Sequence, residues 1–357
     1  MTVLWATFLI VFIFTFLSRY IPANSISIGY SPVIRPNKVM TFLAILSLVL
    51  VSGLRNTIGD TDAYMHTYAT QEFNWSYILE NKDPGFGVLQ MFLKNISSDP
   101  QLLILVTALI TNLLIGITLY KYSRMIELSF YVYITAGMFT VSMNGIRQFF
   151  AASIIFIATK YILNGDFKKY ALVVILASTI HQSALILIPI YFIVRREAWT
   201  KVTFLLFSLA IVIVIGFNQF SEMLFSSLED TQYSNYSTFD EGGASSMRVL
   251  VESVPVVIAF LGREKLRKLW PKSDIIVNLA VINLIFMIIA TQNWIFARFN
   301  IYFSLYNLIL ISWIIYLFKE NSRKFVYYGL LVCYLLYFYY EHVISLNMYY
   351  RSDYINL

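Results

Sequence analysis

The chain has 357 residues, of which 59% are hydrophobic and 13% are charged, and its mean hydropathy is +0.68. Soluble domains carry about 25% charged residues, so this composition excludes an ordinary soluble protein and predicts one that is embedded in lipid. The net charge of +6 does not indicate nucleic-acid binding, because the basic residues stand in short clusters at the ends of apolar runs, as membrane topology requires. The one cysteine, Cys333, excludes an internal disulfide and a thiolate metal cluster.

Eleven apolar runs follow one another along the chain and predict an all-α fold, a polytopic membrane helix bundle forming one domain over residues 1–357. The first run has no basic residue before it and no small-residue cleavage site after it, so we expect it to remain as the first span. The runs cover residues 3–17, 39–53, 101–120, 128–143, 149–163, 170–194, 202–217, 249–262, 275–290, 299–318 and 325–341.

The run 170–194 is expected to enter and leave the membrane on the same side. Basic connectors flank it, and the positive-inside rule places all such connectors in the cytoplasm. The polar segment Ser178–Ser183 divides it into two pieces that each reach about half of a ~30 Å hydrocarbon core, which favours a re-entrant half-helix pair over one long span. The prediction is about ten full spans plus this pair, with both termini and the loops 54–100 and 218–248 outside the cell.

The first candidate site follows the second apolar run and contains Arg55, Asp60, Asp62 and Tyr64. An arginine offers a planar, permanently charged fork that suits phosphate oxygens, and the carboxylates five and seven residues later could accept a proton or orient that fork. An interfacial salt bridge that stabilises the loop is the competing interpretation.

The second candidate site is Asn144, Arg147 and Gln148, where one span ends outside and the next helix begins. Their spacing of i, i+3 and i+4 places them on one face if they are helical, and backbone amides at a helix start favour an anion. Capping of the helix is the structural alternative.

The third candidate site contains Arg298 and Tyr302, which are one helical turn apart. Asn300, Ser304 and Asn307 continue from it as a polar stripe that must face protein or water. Hydrogen bonding between packed helices would explain the stripe equally well.

His181 lies at the middle of the divided run, where two half-helices would meet near the membrane midplane. A lone histidine is otherwise a packing residue, so both interpretations stay open. Asp83 stands in the outer loop within an Asp-Pro-Gly turn signature, which favours a turn-forming role over a site role. The sequence contains no motif typical of zinc hydrolases, redox enzymes or nucleotide-driven enzymes.

Five motifs stand out along the chain: Tyr30–Lys38, Ser52–Arg55 with Gly59–Asp62, Asn144–Gln148, His181–Leu185 and Ile295–Phe303. Together they resemble the EpsG family, and the resemblance covers essentially the whole chain. In one departure, Gly59-Asp60-Thr61-Asp62 stands where relatives often have Gly-Thr-Asp, so which carboxylate holds the family role stays open.

The resemblance implies a Wzy-like polymerase that joins undecaprenyl-diphosphate-linked oligosaccharide repeat units into the exopolysaccharide of a biofilm matrix. Such an enzyme sits in the bacterial cell membrane with its active face outside, and it works with other exopolysaccharide synthesis and chain-length proteins. A diphosphate must leave while an acceptor hydroxyl attacks the anomeric carbon, so cations and a base are needed. We expect inversion at that carbon, no cofactor and a metal-independent mechanism.

Three other functions stay open: a transporter or flippase of lipid-linked glycan, an acyltransferase and a non-catalytic scaffold.

For the polymerase, the expected roles divide the candidate residues into three groups. The groups are Arg55, Arg147 and Arg298 for the diphosphate, Asp62 or Asp60 as the base with His181 as the second choice, and Asn144, Gln148, Tyr64 and Tyr302 for the rest of the substrate.

Overall fold

The computed structural model describes residues 1–21, 24–28, 31–226 and 242–355, and nearly all of this part is helical. The helices before the divided run are α1 (Thr2–Tyr20), α2 (Lys38–Gly53), α3 (Thr61–Thr70), α4 (Trp75–Glu80), α5 (Pro84–Ile96), α6 (Gln101–Tyr122), α7 (Ile126–Thr135), α8 (Met138–Asn144), α9 (Ile146–Ile157) and α10 (Thr159–Asn164). The later ones are α11 (Phe167–Ser178), α12 (Leu187–Val194), α13 (Lys201–Ile215), α14 (Phe217–Ser226), α15 (Ser246–Leu261), α16 (Arg263–Leu269), α17 (Ser273–Ala290), α18 (Ala297–Ile314) and α19 (Glu320–Phe338). Three 3₁₀ helices, Gln182–Ile186, Trp294–Phe296 and Ile315–Leu317, and a π-helix, Tyr339–Ser345, complete the described helices.

Each of the eleven apolar runs is helical, but the expected ten full spans are not confirmed. Among the described residues, five helical segments are long and apolar enough to cross a membrane, and the number rises to seven if each of two bent pairs is one span. The pairs α7–α8 and α13–α14 bend by 54° and 94°. The run 128–143 bends at Gly137, whose φ of +82° is a left-handed conformation that glycine adopts without strain.

A short β-ribbon departs from the predicted all-α fold. Strand β1 (Asn24–Ile28) pairs antiparallel with β2 (Ser31–Arg35), between α1 and α2, and Asn24 lies opposite Arg35. The ribbon overlaps the first family motif, of which Tyr30 lies outside the described residues. Residues 227–241 of the predicted outer loop 218–248 also lie outside the described part of the chain.

The centre of the bundle is the packed pair α17 and α18, whose side chains are buried on nearly every face. Around them the outward side chains are apolar, as with Ile215, which is 81% exposed, and Phe325, which is 82% exposed. A surface of this kind suits contact with lipid.

The run 170–194 folds back on itself, as the polar segment at its middle predicted. Helix α11 ends at Ser178, and the chain resumes as a 3₁₀ helix at Gln182 that leads into α12. The ring centroids of Phe167 and Tyr191 are 5.1 Å apart, although one continuous helix would separate them by about 36 Å. The two half-helices are therefore antiparallel, with their ends together and His181 at the turn.

The loop 54–100, which the sequence predicts to be the outer loop, contains α3, α4 and α5, and two later segments of the chain pack against it. The turn of the half-helix pair contacts the start of α5, where Gly85 N donates to Thr179 O at 2.8 Å. From the C-terminal end, Tyr350 OH donates to Val51 O at 2.9 Å and Arg351 N donates to Thr57 Oγ1 at 2.8 Å. These contacts hold the loop over the helices that carry the other candidate residues.

Candidate functional site

The first two candidate groups contact each other directly. Asp60 N donates to Asn144 Oδ1 at 3.0 Å, and Gly59 has a φ of +55°. A Cβ on Gly59 would lie 2.0 Å from Asn144 Oδ1, so only glycine permits this approach. Asn144 therefore positions the outer loop.

Arg147 joins this loop to the start of α5. Its Nη1 donates to Asp83 Oδ2 at 2.7 Å and its Nε donates to Tyr64 OH at 3.0 Å. The guanidinium carbon also lies 5.8 Å from the ring centre of Tyr64. Because 37% of the Arg147 side chain is exposed, the cation keeps contact with the exterior of the protein.

Asp83 is the residue at which these contacts converge. It is 3% exposed, and besides Arg147 it accepts a hydrogen bond from Gln182 N at 3.0 Å. His181 Nδ1 lies 3.4 Å from the same carboxylate oxygen that Arg147 contacts. The sequence favoured a turn-forming role for Asp83, and its backbone carbonyl does accept from Phe86 N at 3.1 Å at the start of α5. Its carboxylate makes no cap bond to α5 and makes the long-range contacts instead.

Asp60 and Asp62 occupy a different environment from Asp83. Both are exposed at the beginning of α3, where a negative charge is favoured by the positive end of the helix dipole. Their carboxylates are therefore accessible at the surface of the protein.

Arg55 is 1% exposed and points into the protein. Its Nε donates to Thr61 Oγ1 at 3.0 Å, its Nη2 donates to Met143 O at 2.6 Å, and its Nη1 donates to Ser52 O. Burial lowers the pKa of Arg55 to about 9, which leaves the side chain cationic at neutral pH. The arrangement fits a positioning role better than direct contact with a diphosphate, because three neutral acceptors already hold the guanidinium.

Hydrogen bonds join the third candidate group to the second group and to the half-helix pair. Gln148 Nε2 donates to Arg298 O at 2.6 Å, and Tyr302 OH lies 2.8 Å from Ser183 Oγ on the half-helix pair. Tyr302 is 1% exposed, so it braces α18 against the half-helix pair, whereas Arg298 is partly exposed at the start of α18. Contact of Tyr302 with substrate stays a prediction.

The cluster of Tyr64, Asp83, Arg147 and His181 combines an anion-binding cation with an oriented histidine. If the Nδ1 proton of His181 is directed at Asp83, the ring leaves Nε2 as a proton acceptor. Among the residues that the structure describes, no three His, Cys, Asp or Glu side chains group as a metal site, and the metal-independent mechanism stays a prediction.

Comparison with known proteins identifies one family. The model of the EpsG family matches residues 38–354, which include every candidate residue named above. No curated protein and no solved structure matches the chain. Together with this match, the several apolar helices indicate a multi-pass membrane protein. The chain belongs to the EpsG family.

Proposed function

We propose that this protein is a Wzy-like polymerase that joins lipid-diphosphate-linked oligosaccharide repeat units at the outer face of a bacterial cell membrane. The observation that carries the proposal is the convergence of Arg147, His181 and Gln182 on the buried carboxylate of Asp83, beside the outer loop. Membership of the EpsG family and the membrane-helical fold support it. The product is an exopolysaccharide of a biofilm matrix, made with other synthesis and chain-length proteins as partners.

The reaction requires one bond to form and one to break at the anomeric carbon. The oxygen of an acceptor hydroxyl attacks that carbon, and the bond to the diphosphate oxygen breaks with its electron pair, which inverts the configuration. His181 Nε2 takes the hydroxyl proton, while Asp83 stabilises the cation formed on the ring. No cofactor takes part.

Arg147 and Arg298 bind the departing diphosphate, whose negative charge increases as the bond breaks. Arg55 supports them indirectly by holding the loop between α2 and α3. Asp62 or Asp60, the first choice of the sequence analysis, is the alternative base, because both carboxylates are exposed at the start of α3.

The proposed topology retains ten full spans. The seven candidate spans become ten if α2, α15 and α19 also cross, and the half-helix pair α11–α12 makes the additional re-entrant segment. At 16 residues each, α2 and α15 are about 24 Å long, so local thinning of the bilayer would accompany them.

The decisive experiment is incubation of the purified full-length protein with the native lipid-diphosphate repeat unit. We expect a ladder of longer glycans, formed by the wild type and by the exposed-residue control Glu72→Gln. Loss of the ladder in His181→Ala but not in Asp60→Asn or Asp62→Asn would assign the base to His181, and the opposite result would assign it to an aspartate.

A transporter of lipid-linked glycan is the second candidate, favoured by the broken helix with a polar turn, which is common in transporters. Folded wild-type protein that makes no ladder but moves a labelled lipid-diphosphate glycan across a proteoliposome membrane would establish this function and reject the polymerase.

A further inference from the structure

A second polar cluster lies between α15, α17 and α18, apart from the residues assigned above. Glu252 of α15 is partly buried, and its Oε2 accepts a hydrogen bond from Asn283 Nδ2 of α17 at 2.6 Å. The same oxygen accepts from Asn307 Nδ2 of α18. The outward face of α15 is apolar, with Leu250 59% exposed and Leu261 75% exposed, so the carboxylate is held within a hydrophobic helix.

The charges around Glu252 do not balance within this cluster. Arg248, one turn earlier, is paired with Glu341 of the π-helix through its Nε at 2.7 Å and through its Nη2. Tyr334 and Tyr337 of α19 lie near Glu252, but a tyrosine carries no charge at physiological pH and cannot balance a carboxylate. One arginine and two glutamates leave a net charge of −1, which is costly in an apolar environment unless a cation or a proton compensates it.

The two asparagines have unused oxygen atoms. Asn283 is 0% exposed and Asn307 is 4% exposed, and Oδ1 of each is buried without a hydrogen-bond partner. Both side chains are directed at Glu252, since their nitrogens bond to it. A rotation of 180° about the last side-chain bond exchanges amide nitrogen and oxygen, so each can present either atom to the carboxylate.

We propose that Glu252, Asn283 and Asn307 bind a small monovalent cation such as sodium. Carboxylate and amide oxygens are hard ligands that suit a hard cation. A single positive charge neutralises the cluster, whereas a divalent ion would leave an excess positive charge in an apolar environment. On binding, the amides turn their Oδ1 atoms toward the ion.

The cation links three helices, one of which carries residues of the candidate active site. Asn307 is five residues after Tyr302 on α18, a distance of about 7.5 Å along the helix. The site therefore stabilises α18 in the position that Arg298 and Tyr302 require. Binding itself does not depend on the proposed polymerase function.

The test is thermal unfolding of the purified full-length protein in sodium chloride and in choline chloride at equal ionic strength. We expect sodium to raise the Tm of the wild type by several degrees in a saturable manner, with potassium and lithium giving the order of affinity. The rise should weaken as the pH falls, because protons compete for the carboxylate.

Glu252→Gln should abolish the sodium response, and the exposed control Glu222→Gln should keep it. A wild-type Tm that is the same in sodium, potassium, lithium and choline overturns the proposal, and this measurement needs no variant to fold. A sodium response that Glu252→Gln retains overturns it too. If Glu252→Gln raises the Tm while the wild type ignores all cations, a proton holds the site instead.

Discussion

Asp83 makes contacts that its neighbours in the sequence do not explain. Pro84 and Gly85 follow it, which is typical of a turn, yet the carboxylate is 3% exposed and contacts Arg147, about sixty positions later, and the turn at His181, about a hundred positions later. A buried carboxylate needs partners of this kind, because its charge is costly without them. The buried charge, together with the oriented histidine, makes Asp83 the most informative single residue to change.

Replacement of Asp83 by asparagine keeps the volume of the side chain but removes the charge that pairs with Arg147 and orients His181. We expect glycan polymerisation to fall by roughly 10²- to 10⁴-fold, because proton transfer by a positioned histidine contributes on this scale. The measurement is the initial rate of ladder formation with the native repeat unit. Protein that elutes normally but polymerises at the wild-type rate would remove Asp83 from the mechanism.

Arg55 should affect stability more than Arg147 does. Arg55→Ala removes hydrogen bonds to Ser52, Thr61 and Met143 and leaves their oxygens buried, so we expect a loss of about 2–4 kcal/mol in the free energy of unfolding. Arg147→Lys should change the Tm much less, since it keeps a cation beside the buried carboxylate of Asp83, while it lowers polymerisation because the planar guanidinium fork is lost. Thermal unfolding of both purified variants separates the roles, and equal Tm losses would contradict the assignment.

At the scale of elements, the half-helix pair was predictable because its signal is local. Ser178–Ser183 is a polar segment inside an apolar run, and the basic residues at both ends of that run predict that both ends lie on the same side of the membrane. In the structure both ends of the run contact the same basic segment, which lies between α15 and α17. Lys272 Nζ donates to Asn164 Oδ1 at 2.9 Å, and Arg267 pairs with Glu197 at 2.9 Å.

The sequence did not predict the elements whose geometry depends on residues far away in the chain. The π-helix Tyr339–Ser345 buries Glu341 against Arg248 and places His342 Nε2 2.9 Å from Thr140 Oγ1, although no local sequence pattern singles out His342. The packing of Tyr350 and Arg351 on the outer loop is of the same kind, because nothing near these residues in the sequence indicates their partners.

The contact between α5 and the half-helix pair depends on Gly85. A Cβ at this position would lie 2.2 Å from Thr179 Oγ1 and 3.1 Å from Thr179 C, so Gly85→Ala must push the two segments apart and move Asp83 away from His181. We expect at least a tenfold loss of polymerisation. Gly87→Ala on the same helix is the matched control, since its Cβ would lie 3.2 Å from the side-chain atom Cγ1 of Ile78 and the substitution should cost far less. Similar losses in both variants would show that this contact is not specific.

At the scale of the whole molecule, the half-helix pair determines the depth of the candidate site. Helix α11 has 12 residues and is therefore about 18 Å long, so a pair that enters from the cytoplasm reaches just past the middle of a ~30 Å core. Because Asp83 contacts the turn, we expect the start of α5 to descend into the membrane from the opposite side, which the charges predict to be the outside. A recessed pocket of this kind would exclude water from the anomeric carbon while the diphosphate stays close to the lipid headgroups.

The same arrangement predicts the sidedness of the chain. In a background in which Cys333 is replaced by alanine, single cysteines at Lys168, Glu197 and Asp353 report the two ends of the half-helix pair and the C-terminal segment. A membrane-impermeant thiol reagent applied to intact cells should label only the cysteine at 353, and permeabilised cells should label all three. The labels at 168 and 197 decide the topology, because one crossing between them would place them on opposite sides and reverse every later span. Protection of 168 together with labelling of 197 in intact cells would reject the re-entrant pair, and with it the recessed position of the His181 turn, because two ends that contact each other cannot lie on opposite sides of the membrane.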